Sequence, residues 1–148
     1  MRKARVLVPI GDTKNSRSVI DYIINMPSFS QDWHLCLVHI FRTPSASEEL
    51  MGRKFTAEQP ARMLTMLEGA RENLIRNGFL PEAVDLEIAK SEYPSVSEGI
   101  IDQYKKQKCD MIIIGRKKRS KAEEFVMGDI SIKLIRMLEK AAVLVVTT

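Results

Sequence analysis

The chain has 148 residues, of which 45% are hydrophobic and 28% charged, and its formal net charge is +4. That length suits one domain spanning residues 1–148, and that apolar content excludes disorder as the main state. No apolar run approaches the ~18 residues of a membrane-spanning helix.

The start, Met1-Arg2-Lys3-Ala4-Arg5, is basic, and Val6 to Ile10 is too short for a signal-peptide core, so a cytoplasmic protein is expected. The first strand is predicted over Arg5 to Pro9. The turn after it, Ile10-Gly11-Asp12-Thr13-Lys14-Asn15, holds good turn and helix-cap residues. A helix follows from Ser16 to Met26, with Val19, Ile20, Ile23 and Ile24 on one face. The second strand runs from Trp33 to Ile40, with Trp33 anchoring its start. His34 and His39 point to opposite faces of it, His34 toward solvent or an interface and His39 toward the strand end.

Residues 42–57 form the one long irregular stretch, expected to be a loop. Pro60 suits a first helical turn, Met63, Leu67, Ala70 and Leu74 fall in register behind it, and Asn77-Gly78 reads as the stop. The third strand, Val84 to Ala89, alternates polar and apolar residues as an edge strand does. Ser95 and Glu98 have capping-box spacing and open a third helix, with Ile100, Ile101 and Tyr104 inward. The fourth strand, Asp110 to Ile114, and the fifth, Ala142 to Val146, are nearly continuous Val, Ile and Leu, as is the first. Such runs suit strands covered on both faces. A fourth helix is expected from Gly128 to about Glu139, with Ile130, Leu134, Met137 and Leu138 inward. The alternating order predicts an α/β fold: an open, mostly parallel five-stranded sheet with helices on both faces.

In such a sheet ligands bind beyond the carboxyl ends of the strands, where strand order reverses. The loops after strands one and four are therefore the candidates. Five basic residues fall between positions 116 and 121, between Gly115 and Gly128. Two readings stand: a phosphate-binding loop beside a helix start, or a solvated charge run. The turn after the first strand is likewise open to a purely structural reading. Other chemistry is missing. There is no Gly-x-Ser-x-Gly elbow and no Walker loop. Cys36 and Cys109, 73 residues apart, read as reduced core thiols, and neither histidine stands at zinc-like spacing from them, so no metal is expected. A single basic loop without interleaved aromatics argues against nucleic acid.

Nearly the whole chain resembles a universal stress protein. The resemblance rests on a first strand ending Val8-Pro9, a second ending Val38-His39-Ile40, and the Pro94-Ser95 helix opening. Cys109-Asp110-Met111-Ile112-Ile113-Ile114-Gly115 and the closing Val143-Leu144-Val145-Val146 add to it. Nucleotide-binding members carry Gly, two residues, Gly, nine residues, Gly, then Ser or Thr. The same spacing falls here on Gly115, Lys118, Gly128 and Asp129.

The resemblance implies a Rossmann-like sheet of the adenine-nucleotide alpha-hydrolase kind. It places Pro9, Ile10 and Ile40 beside a base and Gly11 and Asp12 in the first turn. Gly115, Lys117, Lys118, Gly128 and Asp129 would surround phosphates, with Ile130 and Ser131 in the following helix. Two of these positions depart from the pattern. Lys118 fills space that a glycine leaves to phosphate, although its ammonium can bind phosphate as a point charge. Asp129 sets a carboxylate where the anion would sit, a repulsion of about 1–4 kcal/mol. Gly11-Asp12 also inverts the Asp-Gly order common in binding members. The resemblance therefore implies a non-catalytic, dimeric stress-response module that does not hold ATP in the usual way. The alternative is an ATP- or ADP-binding sensor using the loops after strands one and four. The family's homodimer pairs the last strands of two subunits, and the uncharged, β-branched run from Ala142 to Val146 fits an edge that pairs.

Overall fold

The computed structural model describes residues 2–11, 13–26, 29–43, 46, 50, 60–89, 92–117 and 130–148. Five strands form one sheet: β1 (Ala4–Pro9), β2 (Trp33–His39), β3 (Val84–Ile88), β4 (Met111–Arg116) and β5 (Ala142–Thr147). The helices are α1 (Lys14–Asn25), a four-residue α2 (Phe29–Asp32), α3 (Pro60–Arg76), α4 (Val96–Lys106) and α5 (Ile130–Met137). The strand order is β3-β2-β1-β4-β5, and every pair is parallel. The chain builds outward from β1 to β3 and then returns to the other side of β1. Order therefore reverses between β1 and β4, which opens a crevice at their carboxyl ends.

Residue parity divides the core in two. Val6, Val8, Leu35, Leu37 and Ile113 face α1 and α3 and pack with Val19, Ile20, Ile23, Leu67 and Leu74. Leu7, Cys36, Val38, Ile112 and Ile114 face the other way and pack with Ile100, Tyr104 and Leu134 of α4 and α5. Strands buried on both faces need apolar residues at consecutive positions, which explains the continuous runs in β1 and β4.

Local signals set the element ends. Thr13 caps α1, accepting from the Ser16 N–H, so the helix begins at Lys14 and not at Ser16 as its apolar spacing suggested. Pro60 opens α3, and Gly78 ends it at a φ of 109°, a left-handed conformation that glycine adopts without penalty. Phe79 N–H then reaches back to the Leu74 carbonyl at 3.1 Å. Ser95 caps α4 by accepting from Glu98 N–H. Trp33 stacks on Phe29 with ring centroids 3.6 Å apart, fixing the start of β2.

Three expectations change. β5 is an outer strand, and its residues Ala142 to Val145 are not fully buried, so its apolar run does not mark a strand covered on both sides. α5 is described from Ile130 to Met137 and stops short of Glu139. Leu134 and Ser131 turn inward on it, whereas Ile130 and Met137, expected inside, are exposed. His34 is half-buried and pairs with Asp85 at 2.7 Å. Most of the expected 42–57 loop lies outside the described residues.

Candidate functional site

The end of β1 is tied down by its neighbours. Ile10 N–H donates to the Val38 carbonyl at 2.8 Å. His39, buried at the end of β2, sets its Nδ1 2.6 Å from the Ile10 carbonyl. A carbonyl only accepts, so that nitrogen carries the proton. Gly11 N–H donates to Ser16 Oγ at 2.8 Å, and Ser16 N–H donates to Thr13 Oγ1 at 3.2 Å. These bonds curl the turn back onto the start of α1.

The end of β4 meets the same turn. A Cβ added at Gly115 would stand 2.9 Å from the Asn15 carbonyl oxygen and 3.0 Å from Val19 Cγ2. Only a glycine lets α1 lie this close to β4. Thr148 Oγ1 donates to Asn15 Oδ1 at 2.7 Å, so the chain end lies against the same helical turn.

The third wall is α4. Gly99 carries no Cβ because Ile40 Cγ2 and the Tyr93 ring occupy that space. Tyr93 is held by a backbone bridge to Arg42 and by its phenol, which donates to Asp102 Oδ2 at 2.5 Å. Burial raises the Tyr93 pKa, and the Tyr93 hydrogen bond, aided by Lys106, lowers that of Asp102. The pair anchors the segment behind Ile40.

Between these walls lies a cavity of about 400 Å³, within the usual range for small-molecule sites. Its lining includes the apolar side chains of Ile10, Ile40, Val96, Ile100 and Ile114. Arg116, Lys117 and Lys133 also line it, as do Ile130 and Ser131 of α5. Thr13, Asn15 and Ser16 add polar groups. A smaller cavity of about 310 Å³ lies behind the same turn, between α1 and α3.

Of the positions singled out in sequence, Pro9, Ile10, Gly11, Ile40, Gly115, Lys117, Ile130 and Ser131 line the main cavity together. Asp12, Lys118, Gly128 and Asp129 lie outside the described residues. Sequence reasoning did not pick Val96, Ile100, Ile114 or Lys133. Val96 follows the helix cap at Ser95, and Ile114 precedes Gly115. Both carry the general signal of a residue beside a strand end or helix start. Lys133 lies two residues after Ser131, and no local pattern distinguishes it.

An open parallel sheet with a cavity at its reversal point, lined by both apolar and cationic side chains, belongs to the class of doubly wound α/β folds. The sequence profile described as "Universal stress protein family" matches residues 3–147. The chain therefore belongs to the universal stress protein family. Solved structures agree on the fold. A universal stress protein in complex with cAMP is 14% identical, aligns 99% of this chain to 98% of its own, and gives a TM-score of 0.69. An Arabidopsis thaliana member with AMP bound is 13% identical over 97% of this chain and 91% of its own, with a TM-score of 0.66. An Archaeoglobus fulgidus member in complex with dAMP is 11% identical over 98% of both chains, with a TM-score of 0.54. A comparison with curated protein sequences found no match.

Proposed function

We propose that this chain is a cytoplasmic, non-catalytic stress-response module whose main cavity takes an adenine mononucleotide. The observation that carries the reading is the mixed lining of one cavity, which combines isoleucines with three cationic side chains. A purine fits against Ile10, Ile40 and Ile114, while a phosphate fits beside Arg116, Lys117 and Lys133. The cAMP, AMP and dAMP complexes named above support an adenine base. A single phosphate also suits the altered loop, since Lys118 and Asp129 replace the glycine and hydroxyl that nucleotide-binding members carry.

Calorimetry with AMP, ADP and ATP tests this. AMP should give saturable heat that weakens as salt rises, because charged contacts are screened. Lys117→Glu and Lys133→Glu should each lower AMP affinity about tenfold, equivalent to about 1.4 kcal/mol. No heat and no thermal shift at millimolar AMP removes the reading.

A second reading has its own support. Lys118 and Asp129 oppose a phosphate tail, which favours a dimeric interaction module that works without nucleotide. The uncovered β5 edge and the exposed apolar residues of α5 favour the dimer. Lys118→Gly with Asp129→Ser separates the two readings. If those residues hold nucleotide out, the double variant gains affinity over the parent; unchanged affinity means they do not control the cavity.

A further inference from the structure

A second cluster of reactive groups lies at the opposite end of the sheet. His34 and Cys36 are two residues apart on β2 and so share a face. Register sets Asp85 of β3 directly beside Cys36. The three donor atoms, an imidazole nitrogen, a sulfur and a carboxylate oxygen, all lie within 4.8 Å of one another. We propose that His34, Cys36 and Asp85 bind a borderline-soft divalent cation of the zinc class.

Geometry supports this. Zinc bonds of roughly 2.0–2.3 Å in a tetrahedron put neighbouring donors about 3.3–3.8 Å apart. His34 Nε2 and Asp85 Oδ2, now 2.7 Å apart, would separate slightly. Cys36 Sγ, within 4.8 Å of both, would move toward them by about 1.3 Å at most. The donor set also selects the ion. Mixed nitrogen, sulfur and oxygen ligands suit zinc, whereas magnesium and calcium take oxygen almost alone. A Cys36 thiolate and Asp85 together neutralise a dication.

The surroundings hold the sulfur in place and leave a way in. Arg5 donates its guanidinium N–H to Cys36 Sγ at 3.3 Å and is itself fixed through Nε to the Gln107 carbonyl at 2.9 Å. Glu87, on the same face of β3 as Asp85, offsets that positive charge. The Asp85 side chain is 58% exposed at the outer strand, so the ion enters from the β3 edge and a water completes the fourth position. From His34 to Ile40 the strand covers about 20 Å, which makes this centre separate from the nucleotide cavity. Residue spacing alone did not reveal it, because one ligand comes from the neighbouring strand.

Cobalt(II) titration of the full-length, reduced chain tests the site. The expected result is a thiolate-to-cobalt charge-transfer band with the strong visible bands of tetrahedral cobalt, abolished by one equivalent of zinc. Cys36→Ser should remove the charge-transfer band. His34→Gln and Asp85→Asn should each weaken zinc binding more than about tenfold, with circular dichroism unchanged. Cys109→Ser should keep the spectrum, since Cys109 hydrogen-bonds to Cys36 without being one of the three ligands. The proposal fails if the parent chain gives no such band. It fails equally if His34→Gln and Asp85→Asn bind as tightly as the parent, or if Cys109→Ser abolishes the band as Cys36→Ser does, which would mark a simple dithiol.

Discussion

Asp110 shows how much structural work one side chain does at the amino end of β4. Arg2 donates to both of its oxygens, at 2.6 and 2.7 Å, and the Arg5 backbone N–H adds a third bond at 2.9 Å. All three favour the charged carboxylate, and they hold its pKa at about 2, below the 3.8 of a free aspartate. A depressed carboxylate stabilises the fold above its unfolded pKa and loses that contribution as pH falls through the folded value. Urea unfolding should therefore find Asp110→Asn weaker than the parent at neutral pH by about 1 kcal/mol, after allowance for solvent screening of a partly exposed pair. The gap should close between about pH 4 and pH 2 as the parent carboxylate protonates. A gap that persists at pH 2 would mean the hydrogen-bond geometry, and not the charge, matters. Gly115 is a second such residue. Gly115→Val should push α1 off β4, abolish AMP binding in calorimetry and lower the melting temperature, because its Cβ would meet a backbone oxygen that cannot swing aside. Both glycine and aspartate were visible in the sequence as motif residues. Their pairing with Asn15 and Arg2 was not, since contacts 100 or more positions apart leave no local pattern.

At the scale of elements, the legible parts were those fixed by local chemistry. Ser95 accepts the Glu98 N–H at 3.2 Å, as the spacing of the two residues foretold. Ser95→Ala should cost about 1 kcal/mol in thermal or urea unfolding, typical of a lost helix cap, and should also loosen Val96 at the cavity wall. The strands β1 and β4 were legible because central parallel strands are apolar at every position. The edge strand β3 showed itself by alternation. α5 misled because five of its eight residues are apolar. When apolar residues surround a helix, a 3.6 period can be fitted on more than one face. The choice of Leu134 was right, but Ile130 and Met137 were assigned inward while Ser131 took the buried position. The candidate site follows the same division: most residues at the ends of β1, β2 and β4 were found, Ile114 excepted, whereas α4's Val96 and Ile100 came to it only through packing.

At the scale of the whole molecule, β5 and α5 lie together. β5 is an outer strand with an apolar, uncharged sequence, and α5 beside it exposes Ile130, Ile132, Ile135 and Met137. A lone edge of this composition would pair unselectively with other chains, and exposed apolar side chains on the neighbouring helix add to the uncovered surface. Both features make sense if the second reading's dimer covers them. Ile135 is 63% exposed in the single chain, so replacing it should not disturb the monomer core. In a two-fold dimer each substitution counts twice. Ile135→Glu should therefore weaken association at least about 100-fold, since burying an isoleucine contributes roughly 1.5–3 kcal/mol and a buried charge opposes it further. Sedimentation equilibrium is the measurement: the parent should run as a dimer and Ile135→Glu as a folded monomer with unchanged circular dichroism. A parent chain that remains monomeric at high concentration would leave β5 and α5 exposed for another partner and remove the dimer. A variant that unfolds would show instead that the outer face of α5 belongs to the monomer's own packing.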